Sequence, residues 1–534
     1  MFNLNNSNLA GRYWIPVGVV LLLGSAQLRA AEPVINTKAG SIRGTHQDGS
    51  DAFLGIPFAE PPVGERRWRP PEAARAWRGV RDGTDFASSC YQAPATGFGP
   101  FTPEFLTVGP ISEDCLYLNV WTPTKRAAGL PVLVWIHGGG FGGGSGSVPI
   151  YNGAHLAAKG AVVVTINYRV GAFGFLAHPS LSRESASRVS GNYGLLDMIA
   201  ALAWVRDHIA AFGGDPAKVT IAGQSAGAIA VNDLMVSPLA IGLFSRAIAE
   251  SGSGMGVKAV PLAEAEANGE AFAHEAGATS AAALRALAAD RVLALSHAGP
   301  PAPGEKPRKL IYAPTLDHHV LLAEPDDPST RPLSEVPLLT GFNADEGEIF
   351  GRQSLTPAAF EIKVRDRYGE AAARFLAAYP HGTGEEASTS ATLMARDRYM
   401  ASLILWAEKR TMDNRLGIYV YLYEHPLPGT GREQFGTFHT SEVPYVFGVL
   451  DQGGRPFGAE DRMISEQLSS FWLNFMRDGD PNGSALVHWP RNSPGQLTVM
   501  GLGDHPGPRA AVSTPARMAL FRDYVASGGQ LTLF

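Results

Sequence analysis

Short apolar runs alternate with longer amphipathic segments through the first half of the chain. Residues 131–137 (PVLVWIH) and 161–168 (AVVVTINY) are continuous apolar runs, the pattern of strands buried on both faces. Residues 195–211 and 226–234 instead repeat apolar side chains at helical spacing. Strands that alternate with helices predict a parallel sheet joined by crossover helices, which is the α/β class.

The second half of the chain continues this alternation. Further strands are predicted at 219–222, 246–249, 336–340 and 418–423, and further helices at 370–378 and 394–411. No internal repeat of fixed period is present. The segment 262–307 is Ala-rich and then Pro-rich, and it predicts an excursion over the sheet.

The first 30 residues have a pattern of their own. Arg12 precedes an apolar run at 14–23, and small residues follow at Ala30 and Ala31. This is the pattern of a secretory signal peptide, and the run is too short for a hydrocarbon core of ~30 Å, which takes about 20 residues. We predict a signal peptide over 1–30 and a secreted or periplasmic protein without a stable membrane span. The alternative is an uncleaved anchor.

Composition and charge limit the kinds of molecule and ion that the chain can be expected to bind. Lys and Arg number 44 against 50 Asp and Glu, a net charge of −6, which leaves no basic surface for nucleic acid or an anionic membrane. Two cysteines are too few for a four-cysteine zinc site. Asp317-His318-His319 lacks a second ligand cluster and is interpreted as an exposed loop. The sequence therefore predicts no nucleic-acid partner, no metal and no cofactor.

The five residues Gly223-Gln224-Ser225-Ala226-Gly227 fit the G-x-S-x-G pattern. Flanking glycines permit the sharp strand-to-helix turn that exposes a nucleophilic serine. The motif alone is weak, because an ordinary turn serine can have the same neighbours by chance. Here a β-branched strand enters the turn and a small-residue helix leaves it, which favours the nucleophile.

A second glycine-rich motif, His137-Gly138-Gly139-Gly140-Phe141, ends the predicted strand 131–137. Acyl transfer needs backbone N–H groups aimed at the developing oxyanion, and glycines let the backbone approach the substrate closely. A strand followed by HGGG is the lipase and esterase form of this loop. The alternative is a flexible glycine loop.

A serine nucleophile also needs a base and an orienting acid. In lipases and esterases with these two glycine motifs, the acid follows the serine along the chain and the histidine follows the acid. Asp345 and Glu346 follow the predicted strand 336–340, and His439 lies further on. The pattern leaves open which carboxylate serves, and which of several histidines. Because the motifs extend from 225 to 439, we predict that residues 31–534 form a single domain.

The chain resembles the type B carboxylesterase family, which includes cholinesterases and bacterial p-nitrobenzyl esterases. The resemblance covers nearly the whole chain after residue 30. It is carried, besides the two glycine motifs, by GIPFAEPPVG at 55–64, SEDCLYLNV at 112–120, NYR at 167–169, FSRAI at 244–248 and GDPN at 479–482. It implies an α/β-hydrolase fold and a serine carboxylester hydrolase that acts on small-molecule esters through an acyl-enzyme.

The resemblance also implies roles for individual residues. It gives Ser225 as nucleophile, Glu346 as acid, His439 as base, and the N–H groups of Gly139, Gly140 and Ala226 as oxyanion donors. Cys90 and Cys115 match the family's N-terminal disulfide, which an oxidising compartment also favours, with two buried free thiols as the alternative.

The chain departs from the family at the pocket wall, where Gln224 replaces the usual Glu beside the nucleophile. The loop between the cysteines has no tryptophan to stack on an ammonium group, although Phe98, Phe101 and Phe105 could line an apolar gorge or simply pack. Both features weaken the case for a cationic substrate. The alternatives are a non-catalytic binding protein on this fold, or an amidase, lactonase or acyltransferase.

Overall fold

The computed structural model describes residues 32–296, 312–325, 327, 329–411, 417–493, 495 and 497–532. Residues 33–534 form one compact unit. The predicted signal segment, residues 1–30, lies outside the described residues. Within the described ranges, no helix is long and apolar enough to cross a membrane.

An eleven-stranded sheet runs through this unit. Its strands, in chain order, are β1 (Thr45–Gln47), β2 (Ser50–Pro57), β3 (Tyr117–Pro123), β4 (Leu130–Ile136), β5 (Val162–Ile166), β6 (Gly214–Gln224), β7 (Arg246–Glu250), β8 (Leu338–Asn343), β9 (Ile418–Tyr423), β10 (Thr498–Leu502) and β11 (Gly507–Ala510). Across the sheet the order is β11-β10-β9-β8-β7-β6-β4-β5-β3-β2-β1.

The strands from β5 across to β10 pair in parallel, and antiparallel strands lie at both edges. The predicted α/β class is therefore confirmed. The antiparallel edge pairs were not predicted, because β1 and β11 are only three and four residues long and an apolar run such as that of β2 does not show in which direction its partner strand runs.

Helices cover both faces of this sheet. The α-helices span Pro103–Leu106, Ala154–Ala158, Gly171–Phe175, Pro179–Glu184, Tyr193–His208, Ala226–Val236, Leu262–Ala276, Ala281–Arg285, Ala289–Ser296, Pro357–Tyr368, Ala372–Ala378, Gly384–Thr411, Arg432–Phe435, Val443–Phe447, Ala459–Asp478 and Pro515–Ala526. Single turns of 3-10 helix span Gly64–Arg66, Pro149–Tyr151, Ile209–Phe212, Pro238–Ala240, Glu348–Phe350 and Gly369–Ala371. Short strands outside the central sheet span Val34–Thr37, Gly40–Arg43, Val80–Asp82, Ser89–Cys90, Ile111–Ser112, Val260–Pro261 and Thr315–Leu316.

Strand β4 shows why the apolar runs are continuous. Val132, Val134 and Ile136 pack into the core on one face of the sheet, while Leu133 and Trp135 pack into the core on the other. A strand covered by helices on both faces has no solvent-facing position, so every residue is apolar.

The parallel order brings the functional motifs to one edge of the sheet. β4 ends before His137, β6 before Ser225, β7 before Ser251, and β8 three residues before Glu346. In open α/β sheets, ligands bind at the carboxyl ends of the strands. The candidate site therefore lies along this edge.

Candidate active site

Ser225 lies at a strained turn between β6 and the helix Ala226–Val236. Its φ and ψ are 58° and −126°, outside the regions that a residue with a side chain normally adopts. Its N–H donates to the Glu250 carbonyl at 2.9 Å and its carbonyl accepts from Ile229 N–H at 3.0 Å, so neighbours hold the turn on both sides. Such strain persists only where the surroundings enforce it, and here it exposes the hydroxyl at the sheet edge.

The glycines around Ser225 are required by close backbone contact. A Cβ on Gly227 would lie 2.0 Å from the Ile136 carbonyl oxygen, and one on Gly223 would lie 2.5 Å from the carbonyl carbon of Gly227. The helix Ala226–Val236 thus begins directly against the end of β4. This contact brings the serine turn next to the glycine loop that follows β4.

The predicted oxyanion loop turns sharply after His137. Gly139 and Gly140 have φ values of 107° and 61°, and a Cβ on Gly139 would lie 2.3 Å from the Gly143 carbonyl oxygen. Among the described residues, neither glycine donates its N–H to a protein group. Ala226 is the first residue of its helix, so its N–H has no intrahelical acceptor. All three predicted donors are therefore free to bind an oxygen.

His137 anchors this loop as a neutral side chain. Its Nδ1 lies 2.8 Å from the Gly138 carbonyl oxygen, and its ring stacks on Tyr168 with centroids 4.2 Å apart. Burial lowers the pKa of His137 to about 4, although the Gly138 carbonyl opposes that shift. The imidazole thus supports the loop without adding charge.

Glu346 and His439 form a direct pair. Glu346 Oε2 lies 2.5 Å from His439 Nδ1, and the carboxylate is completely buried. Burial alone would lower the pKa of His439, but the charge and hydrogen bond of Glu346, together with the charge of Glu442, outweigh it and raise that pKa. An ionised carboxylate at Nδ1 makes that nitrogen the N–H donor and leaves Nε2 as the acceptor.

Asp345, the other carboxylate that the sequence left open, faces elsewhere. Its Oδ1 pairs with Arg352 at 3.2 Å and Arg396 at 3.4 Å, and its Oδ2 accepts from the Thr437 N–H at 2.9 Å. The geometry therefore assigns the two adjacent acids different surroundings, one beside the imidazole and one among arginines.

Gln224 lies against the imidazole of His439. Its Nε2 is 3.1 Å from the ring Nε2 and 3.4 Å from the ring Nδ1. A nitrogen nearly equidistant from both could not lie in the ring plane, because it would collide with the carbon between them. The amide therefore lies over the ring face, where its N–H groups meet the π electrons.

Ser225 Oγ makes no hydrogen bond to His439, or to any other side chain within the described ranges. In unliganded enzymes the bond between nucleophile and base is often long and forms fully only with substrate present. The serine, the acid–histidine pair and the free N–H groups nonetheless line the same edge of the sheet.

Two further residues hold the acid in place, and sequence reasoning missed both. Glu346 Oε1 accepts a short hydrogen bond from Ser251 Oγ and one from the Asn343 N–H at 2.8 Å. Asn343 Nδ2 also donates to the Phe438 carbonyl at 2.8 Å, which ties the histidine loop to the end of β8. Their only sequence signal was position, since Ser251 follows β7 and Asn343 ends β8.

Cys90 and Cys115 are joined by a disulfide, as predicted. The enclosed loop reaches the histidine loop, because Phe101 and Phe105 pack edge-on against Phe438 with centroids 5.6 and 5.9 Å away. Phe98 stands at the surface with 48% of its area exposed. The disulfide thus constrains a loop that supports the residue beside His439.

The candidate metal motif at residues 317–319 has a structural role. Asp317 Oδ1 accepts from the N–H groups of His319, Val320 and Leu321 at 2.8–3.0 Å. In the part of the chain that the structure describes, no group of three or more His, Cys, Asp or Glu could hold a metal ion.

Comparison with known proteins decides the family. A family profile described as "Carboxylesterase family" matches residues 31–518. The chain belongs to this family. It is 38% identical over 490 residues to fumonisin B1 esterase of Sphingopyxis macrogoltabida, covering 89% of this chain and 87% of the relative. It is 35% identical over 470 residues to para-nitrobenzyl esterase of Bacillus subtilis (strain 168), covering 86% and 92%.

The fold of this carboxylesterase matches those of solved relatives. A PNB esterase structure superposes with a TM-score of 0.75 at 32% identity, covering 92% of this chain and all of that one. The chain is also 33% identical over an alignment of 522 residues to a human cocaine esterase, and the match covers 89% of each chain. The predicted α/β-hydrolase fold and the predicted carboxylic ester hydrolase are confirmed.

Proposed function

We propose that this carboxylesterase cleaves its substrates through a Ser225–His439–Glu346 triad and an acyl-enzyme. Ser225 Oγ attacks the ester carbonyl while His439 Nε2 takes its proton. Glu346 holds the imidazole in the required tautomer and stabilises the imidazolium. The N–H groups of Gly139, Gly140 and Ala226 bind the oxyanion.

The second half of the reaction uses the same groups. His439 returns the proton to the departing alcohol, and a water that His439 then activates attacks the acyl-enzyme and releases the acid. The observation that carries this proposal is the 2.5 Å contact between Glu346 Oε2 and His439 Nδ1, next to a strained serine turn.

The substrates we propose are small-molecule esters. The relatives are named for fumonisin B1, a p-nitrobenzyl ester and cocaine, and Gln224 puts no negative charge beside the nucleophile for a cationic alcohol.

We also propose that the chain is cleaved after Ala30 and exported to the periplasm or the medium. N-terminal sequencing of protein recovered outside the cytoplasm tests it, and recovery of a chain that begins at Met1 contradicts it.

The nucleophile is tested with Ser225→Ala and short p-nitrophenyl esters. The variant is expected to fold normally by circular dichroism and to lose at least about 10⁴-fold in kcat, since the triad acts as a unit. Retention of more than a few per cent of the activity contradicts the proposal.

A further inference from the structure

Two fully buried carboxyl groups lie behind the triad and take no part in the proposed steps. Glu250 ends β7, and Glu442 follows His439 by three residues; neither is exposed at all. Trp472 Nε1 donates to Glu250 Oε1 at 2.7 Å, and Asn343 Nδ2 donates to Glu442 Oε2 at 2.5 Å.

The remaining oxygen of each group lacks a donor. Among the described residues, Glu250 Oε2 and Glu442 Oε1 have no hydrogen-bond partner, and no Lys or Arg forms an ion pair with either group. A buried carboxylate oxygen without a donor or a cation is costly. A proton on one of these groups would remove its charge and with it most of that cost.

The surroundings disfavour two negative charges here. Burial raises the pKa of Glu250 well above its ordinary value, and the charge of Glu442 raises it further. Burial also raises the pKa of Glu442, to about 7, and the charge of Glu346 adds to this. Two like charges that are close in a buried site cannot both ionise near neutral pH.

The other groups that face the pair supply little positive charge. They are the hydroxyls of Tyr151, Tyr421 and Tyr423. Burial raises the pKa of all three; both carboxylates add to this for Tyr151 and Tyr421, and Tyr445 and Glu442 add to it for Tyr423. Of the described groups that act on the pair, only His439 can become a cation, and it acts on Glu442.

Hydrogen bonding decides which group holds the proton. Glu442 accepts from the Asn343 amide and lies close to His439, so its charged form is the better stabilised of the two. Glu250 has only the neutral indole N–H of Trp472. The proton therefore belongs on Glu250.

We propose that Glu250 keeps its proton around neutral pH, so that the buried pair carries one negative charge, located on Glu442. This inference rests on the proposed triad for its effect on catalysis. Glu442 is then a positioning residue, which acts on the reaction through the basicity of His439.

The proton itself is tested by infrared spectroscopy of the intact enzyme at about pH 8, where ordinary carboxyl groups are ionised. The wild type is expected to show the carbonyl band of a neutral carboxylic acid. Glu250→Gln is expected to lack it, and Glu442→Gln to retain it. A wild type without the band, or a band that survives in Glu250→Gln, overturns the proposal.

The effect on His439 is tested by the pH dependence of kcat/KM. Since the charge of Glu442 raises the pKa of His439, Glu442→Gln is expected to lower the midpoint of the acid limb by about half a unit to one unit. Glu250→Gln is the matched control. Its neutral amide stands in for the neutral carboxylic acid and leaves the charge on Glu442, so its midpoint stays at the wild-type value.

A merely structural role for the pair would not separate the two variants in this way. Equal downward shifts show that Glu250 was also charged, and no shift in Glu442→Gln shows that the pair does not act on His439; either result contradicts the proposal. The infrared band can be measured whether or not the enzyme hydrolyses a substrate. Failure of the triad assignment, seen as activity in Ser225→Ala, is therefore distinguishable from failure of this inference.

Discussion

Replacing Glu346 by Gln should reverse the tautomer of His439, the proposed base. Glu346 Oε1 accepts from the Asn343 N–H, which can only donate, so the amide oxygen of Gln must take this position. The amide NH₂ then points at His439 Nδ1, where Oε2 lay at 2.5 Å. Nδ1 becomes an acceptor, Nε2 carries the proton, and Nε2 can no longer accept the proton of Ser225.

The size of the effect follows from the loss of a correctly oriented base. Amide replacement of a triad acid costs roughly 10³- to 10⁴-fold in kcat, or about 4–5.5 kcal/mol of transition-state stabilisation. Substrate binding should change little, because Glu346 is completely buried. Steady-state hydrolysis of p-nitrophenyl acetate at pH about 8, with circular dichroism as the folding check, measures the loss.

The adjacent acid supplies the matched control. Asp345→Asn removes a carboxylate that pairs with Arg352 and Arg396 and does not reach the imidazole. Its kcat should remain within about tenfold of wild type, while stability falls because two arginines and the Thr437 N–H lose a buried carboxylate partner. Equal losses in both variants, or a larger loss in Asp345→Asn, would refute the assignment of Glu346 as the acid.

Three further variants test the surroundings of the site. Gln224→Glu puts a carboxylate over the ring of His439, so the pKa of His439 should rise. The midpoint of the acid limb of kcat/KM should then move up by about one pH unit. An unchanged or lower midpoint would contradict the contact between residue 224 and the imidazole. Cys90→Ser with Cys115→Ser opens a loop with a sequence separation of 25, which should lower the free energy of unfolding by about 3.5 kcal/mol in urea; a loss below about 1 kcal/mol would show that the loop is held by packing. Gly227→Ala puts a Cβ 2.0 Å from a backbone carbonyl oxygen, so stability should fall by at least about 3 kcal/mol in the same assay, and wild-type stability would rule out this tight turn.

The central strands could be predicted because burial on both faces makes their sequences continuously apolar. β9 (Ile418–Tyr423) has the predicted limits, and β4 and β5 agree within a residue or two. The helix Gly384–Thr411 begins ten residues before its predicted start at 394, since its first turns carry exposed polar side chains such as Glu385 and show no apolar stripe.

The candidate site was predictable where one short motif contains its chemistry. Ser225 and the Gly139–Gly140 turn are of this kind. The choice between Asp345 and Glu346 came from the family resemblance alone, because adjacent residues share the same local pattern, and it is the fold that directs Glu346 toward His439. Ser251 is polar but common in type, and its role follows from a hydrogen bond across 95 residues of chain.

Covalent labelling with a fluorophosphonate tests most directly the claim that Ser225 is the nucleophile of an acyl-enzyme. Intact-mass measurement followed by peptide mapping should find one phosphonyl group per chain, attached to Ser225, with activity lost in proportion to labelling. A label on another residue, or full hydrolysis of p-nitrophenyl esters by a chain labelled at Ser225, would contradict the account.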